Sequence, residues 1–124
     1  MLTAIVCGGR DFTDLHLMDT TLTLLVRELE LTTIVTGGAR GADMMAHRWA
    51  KHHGIAAPIE FAEWTKHGKS AGPKRNQAML DRHPVQVVIA FPGGNGTADM
   101  VRRSRVAGIP IIVQVDSDGT FDFV

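Results

Sequence analysis

Three short apolar runs, each followed by a glycine-rich segment and then by a helical pattern, constrain the fold of this chain most strongly. The runs are Leu2 to Val6, Thr32 to Thr36 and Val85 to Phe91, and all three contain β-branched residues. Short apolar runs of this kind are typical of strands buried in a parallel sheet. Because parallel strands need a crossover connection, usually a helix, the repeated alternation predicts an α/β fold.

The other elements complete a single Rossmann-like domain over residues 1–124. We expect a further strand over 56–61, a polar loop over 63–72, a last core strand over 109–115 and an antiparallel edge strand over 120–124. Helices are expected from Leu15 to Leu29 (capped by Thr13 or Asp14), from Gly41 to His53, from Pro73 to Arg82, and after the third glycine segment to Ala107. Right-handed crossovers then predict a three-layer sandwich with five strands in the order 3-2-1-4-5.

Composition excludes several classes of protein. The 124 residues carry 13 basic and 13 acidic side chains, and zero net charge argues against a duplex nucleic-acid binder. Cys7 is the only cysteine, so no internal disulfide can form and paired zinc ligands are missing. We therefore expect no metal and no cofactor. The apolar runs are too short to cross a membrane, and a reducing cytoplasm is the expected compartment.

The glycine segments are the candidate binding site. In the predicted strand order they meet in a crevice at the carboxyl ends of the strands, where α/β sheets bind ligands. Glycine loops that open helices offer N–H groups to phosphate. The predicted ligand-binding residues are Gly8, Gly9, Arg10 and Asp11 in the first segment, Thr36, Gly37, Gly38, Ala39, Arg40, Gly41 and Asp43 in the second, and Pro92, Gly93, Gly94, Asn95, Gly96 and Thr97 in the third.

A fourth segment, Gly72-Pro73-Lys74-Arg75-Asn76, opens a short helix. Arg75 and Asn76 are predicted to reach over the crevice toward a base, ribose or phosphate. Trp64 precedes them, and its indole either packs against the protein or stacks on a base. Asp43 has two interpretations as well, an anion at a helix start or an internal hydrogen-bond acceptor.

Together these four ordered motifs resemble the SLOG superfamily of Rossmann-like proteins, and they are most similar to its YspA-type branch. The resemblance covers about residues 2 to 115. It implies a nucleotide, or a signal derived from one, bound at the glycine loops by a sensor or sequestering protein. It also implies a homodimer or a larger homo-oligomer.

The resemblance leaves two alternatives. LOG-type relatives hydrolyse nucleoside 5′-monophosphates and use the motif P-G-G-x-G-T-x-x-E, whose glutamate corresponds to Met100 here. Asp99 is one residue earlier, so Arg75 and Asp99 are the catalytic candidates in that interpretation. DprA-like relatives bind single-stranded DNA and share the second glycine segment and the Arg75-Asn76 pair.

Overall fold

The computed structural model describes all residues, 1–124, as an α/β fold with one five-stranded sheet. The strands lie in the order β2-β1-β3-β4-β5 and run parallel, except that β5 is antiparallel to β4. The elements in chain order are β1 (Leu2–Cys7), α1 (Leu15–Leu29), β2 (Leu31–Val35), α2 (Ala42–His52), α3 (Trp64–His67), a 3₁₀ turn (Gly68–Ser70), α4 (Ala71–Arg82), β3 (Val85–Ala90), α5 (Asn95–Val106), β4 (Ile111–Val115) and β5 (Phe121–Phe123).

Alternation along the strands builds one apolar core on each face of the sheet. Side chains of successive strand residues point to opposite faces. Ala4 and Val6 of β1 pack with α1 and α2, whereas Ile5 and Cys7 pack with α4 and α5. Helices therefore cover both faces, which confirms the predicted three-layer arrangement. None of the helices combines the length and the apolar character needed to span a bilayer.

Most of the predicted elements are confirmed. Helix α1 begins after Asp14, whose carboxylate accepts the N–H of Leu17 at 3.0 Å and caps the helix. The predicted central strand is β3, which pairs with β1 on one side and β4 on the other. The predicted edge strand is β5, antiparallel to β4 as expected.

The strand predicted over 56–61 is wrong as a strand, although the segment lies beside β2 as the predicted order requires. It makes only two isolated parallel bridges, Thr33 to Ala56 and Thr36 to Ile59. Pro58 explains the interruption, because proline has no N–H to donate to a continuous ladder. The Pro58 carbonyl still accepts the N–H of Thr36 at 3.2 Å.

The loop predicted over 63–72 is wrong as well. The segment folds into α3, the 3₁₀ turn and the first residues of α4. The N–H groups of Lys66 and His67 both bond to the Glu63 carbonyl, at 3.1 and 2.9 Å. A single helical turn is too short to show a hydrophobic period, so the sequence pattern could not reveal it.

Backbone hydrogen bonds tie the three glycine segments together at the carboxyl edge of the sheet. The N–H of Gly9 donates to the Pro92 carbonyl at 2.8 Å, and the Gly9 carbonyl accepts the N–H of Ala42 at 3.1 Å. Gly41 makes this approach possible. Its φ is +81°, and a Cβ there would lie 2.3 Å from the Gly9 oxygen.

We expect Gly41→Ala to lower the free energy of unfolding by more than about 2 kcal/mol, because it combines backbone strain with a clash. Gly54→Ala is the matched control. Gly54 also has a positive φ, +70°, but a Cβ there would meet nothing within 4 Å. The control should lose only about 1 kcal/mol from strain. Urea denaturation of both variants measures the difference, and equal losses would contradict the role given to the contact between Gly41 and Gly9.

Candidate functional site

A cleft of about 740 Å³ opens at the carboxyl edge of the sheet, where the crossovers change sides between β1 and β3. This is the position where open α/β sheets bind ligands. Of the predicted site residues, the cleft is lined by Gly8, Gly9, Arg10, Ala39, Asp43, Arg75, Asn76, Gly94, Asn95, Gly96, Thr97 and Asp99. Parts of all four sequence motifs are thus brought together.

The remaining predicted residues lie outside this cleft. Asp11 and Arg40 form an exposed ion pair at 3.1 Å. Gly37, Gly38 and Arg40 line a smaller neighbouring depression of about 300 Å³. Thr36 is fully buried, and its hydroxyl oxygen has no hydrogen-bond partner. Gly41 packs against the first loop, and Pro92 and Gly93 line adjoining depressions of about 500 and 460 Å³.

The first turn of α5 leaves backbone donors unpaired at the cleft. No side chain caps the helix, and the N–H groups of Asn95, Gly96 and Thr97 have no acceptor in the protein. Free N–H groups and the positive end of the helix dipole together attract anions. This turn is therefore suited to hold a phosphate or a carboxylate.

Arg75 and Asn76 connect the second glycine segment to α5. Arg75 Nη1 donates to the Gly37 carbonyl at 2.7 Å, and its Nε donates to Asn76 Oδ1 at 3.1 Å. Asn76 is buried, and its Nδ2 donates to the Gly96 carbonyl at 3.2 Å and to Asp99 Oδ2 at 2.9 Å. Arg75 Nη2 has no acceptor in the protein, so its N–H groups remain available as donors.

Asp99 is held by basic groups of its own helix. Arg103 Nε donates to it at 2.8 Å, and Arg102 donates to its other oxygen. Burial alone would raise the pKa of Asp99, but the hydrogen bonds from Asn76 and Arg103 and the positive charges of Arg103 and Arg102 outweigh burial and lower it. The carboxylate is thus ionised and occupied by three partners.

Asp43 has the opposite environment. Burial raises the pKa of Asp43, and the hydrogen bond from the Ala39 N–H and the charge of Arg75 offset this only in part. The Ala39 N–H reaches Asp43 Oδ2 at 3.2 Å, which favours the internal-acceptor interpretation. Burial, reinforced by Asp43, also raises the pKa of the Cys7 thiol, so the thiol stays protonated.

Sequence reasoning missed two basic residues of the cleft, Lys69 and Arg102. Lys69 lies in the segment interpreted as a loop. Arg102 lies on α5, where it pairs with Asp99 and lines the cleft. A spacing of three residues between Asp99 and Arg102 was the one available signal, since such pairs face each other on a helix.

Asp43→Asn and Asp99→Asn should change stability in opposite directions. The folded pKa of Asp43 is raised, so ionisation opposes folding at neutral pH. Asp43→Asn should therefore raise the free energy of unfolding at pH 7, and this gain should disappear as the pH falls to about 4, the ordinary aspartate pKa.

Asp99 contributes stability above its ordinary pKa, because its folded pKa is lowered. Asp99→Asn should cost about 1.5–3 kcal/mol at pH 7 through lost charge-assisted hydrogen bonds, and less below about pH 4. Denaturant titrations at several pH values test both variants. Changes of the same sign at pH 7 would contradict this account of the two carboxyl groups.

Comparison with known proteins places the chain in a family. The model of the YspA, cpYpsA-related SLOG family (YAcAr) matches residues 3–67, which include the first two glycine segments and Trp64. Gene 61 protein of Mycobacterium phage D29 is 42% identical over an alignment of 86 residues, and the match covers 64% of this chain and 68% of the phage protein. The predicted resemblance is confirmed, and the chain belongs to the YspA, cpYpsA-related SLOG family.

Proposed function

We propose that this domain binds a nucleotide or a nucleotide-derived signal, with its phosphate on the first turn of α5. The observation that carries the proposal is the set of unpaired N–H groups of Asn95, Gly96 and Thr97 at the wall of the cleft. A volume of about 740 Å³ lies within the usual size of small-molecule sites. The family assignment supports a nucleotide as the source of the phosphate.

The charges of the cleft support an anionic ligand. The guanidinium of Arg10 forms no ion pair and donates no hydrogen bond, and the Lys69 ammonium has no partner either. Asp99 is already neutralised by two arginines. Arg10 and Lys69 form no ion pair, and Nη2 of Arg75 has no acceptor, so the cleft offers positive charge to an anion although the chain as a whole carries none in excess.

The biological role that fits this site is sensing or sequestering a ligand that is returned unchanged. The proposal is tested first by thermal unfolding in the presence of nucleoside mono-, di- and triphosphates, cyclic nucleotides, NAD and ADP-ribose. A ligand at 100 times its Kd should stabilise the protein by about 2.7 kcal/mol. Chromatography of the recovered ligand should show no free base. No stabilisation by any of these compounds would overturn the proposal.

Arg10→Ala and Arg40→Ala form a matched pair for mapping the site. Both side chains are exposed and lie in the glycine segments, but only Arg10 lines the cleft. Arg10→Ala should weaken nucleotide binding at least tenfold, because a hydrogen bond to a charged group contributes about 1.5–3 kcal/mol. Arg40→Ala should change the affinity less than about twofold, since exposed pairs contribute little. Calorimetric titration measures both, and equal losses would contradict the proposed location.

Gly96 allows a test that separates binding from folding. A Cβ at Gly96 would meet no atom within 4 Å, and the residue is helical and lines the cleft. Gly96→Ala should raise the free energy of unfolding by up to about 1 kcal/mol, because alanine is the better helix former. Gly96→Ala, and Gly96→Leu more strongly, should weaken nucleotide binding by occupying the space that the phosphate needs. Unchanged affinity of the leucine variant would show that phosphate binds elsewhere.

A further inference from the structure

Trp64 is the only tryptophan at the cleft, and its position separates it from the core aromatics. It opens the single turn α3 and is 48% exposed. The edge of its indole rests on the first turn of α4, since a Cβ at Gly72 would lie 3.5 Å from Trp64 Cη2. One edge of the indole thus packs on the protein, while about half of its surface is exposed and it lines the cleft.

Arg10 covers this ring. Its guanidinium carbon lies 5.4 Å from the centroid of the Trp64 ring. The side chain makes no other polar contact, because it donates no hydrogen bond and pairs with no carboxylate. A cation over an exposed aromatic ring is held weakly, whereas a guanidinium bound to phosphate gains charge-assisted hydrogen bonds. A phosphate in the cleft would thus draw Arg10 away from the indole.

We propose that Trp64 is the platform on which the base of the bound nucleotide stacks, in the place that Arg10 leaves when it turns to the phosphate. This inference rests on the proposed function. It assigns a contact to the base, which is the part of the ligand that glycine-loop amides cannot recognise. Trp64 and the first turn of α5 line the same cleft, so a single mononucleotide can reach both. Stacking on one face accepts any base and favours purines, whose rings are larger.

The experiment compares three probes in a Trp49→Phe background, in which Trp64 is the only tryptophan. AMP carries base and phosphate, ribose 5-phosphate lacks the base, and adenosine lacks the phosphate. AMP should bind about 5- to 150-fold more tightly than ribose 5-phosphate, the factor that corresponds to stacking one base. AMP should also quench the fluorescence of Trp64 more strongly than ribose 5-phosphate does.

Two substitutions at the same position provide the control. Trp64→Leu should remove the difference between AMP and ribose 5-phosphate and leave the affinity for ribose 5-phosphate within about twofold. Trp64→Phe keeps an aromatic face and should retain most of the difference. Because Trp64 is half exposed, both variants are expected to fold, and circular dichroism checks this.

The outcomes distinguish the inference from the function on which it rests. If ribose 5-phosphate binds the parent as tightly as AMP, or if Trp64→Leu weakens both probes equally, the base does not stack on Trp64 and only the inference fails. If neither AMP nor ribose 5-phosphate binds the parent, the inference fails for this mononucleotide, and the proposed function fails with it only when every other nucleotide of the thermal screen also leaves the protein unstabilised.

Discussion

The structure depends on two of the backbone hydrogen bonds of Gly9, which hold three loops from three different crossovers at one edge of the sheet. Gly9 donates to Pro92 and accepts from Ala42, so its peptide groups are used up within the protein. The same crowding requires glycine at position 41. Glycines in the first two motifs thus serve close packing of the backbone, whereas Gly94 and Gly96 of the third motif face open space. The glycine-rich motifs therefore contain two kinds of glycine, those that allow backbones to pack closely and those that leave space open.

The close approach of the loops also brings polar and charged side chains of α4, α5 and the second glycine segment into contact. Asn76 carries hydrogen bonds from α4 to the first turn of α5 and to Asp99, and Arg75 extends them to the Gly37 carbonyl. Asp99 in turn pairs with both Arg102 and Arg103. Four basic side chains line the cleft, against two carboxylates. A chain with zero net charge therefore carries a local excess of positive charge at one edge of its sheet.

The sequence predicted the order of the strands, the glycine loops and the edge where they meet, because strands buried in a parallel sheet are recognisable as continuous apolar runs. The prediction from sequence failed where local backbone chemistry determined the secondary structure. Pro58 reduced a predicted strand to two bridges, and one turn of helix at Trp64 was too short to have a period. Arg102 could not be assigned to the cleft, because its position depends on a side-chain pairing with Asp99. The burial of Thr36 and the exposure of Asp11 also depend on tertiary packing, which no sequence motif encodes.

The positions of Met100 and Asp99 weigh against the LOG-type hydrolase alternative. Consecutive helical residues point about 100° apart, so Met100 and Asp99 cannot share a direction. Met100 is fully buried between α5 and the sheet, together with Met79 and Val101, so a glutamate there would enter an apolar core. Asp99 does reach the cleft, but three donors occupy its oxygens and keep it ionised. A carboxylate that helps to break the bond between base and ribose must be free to approach the sugar or a water molecule. The carboxylate of Asp99 instead holds α5 to α4 through its hydrogen bond with Asn76.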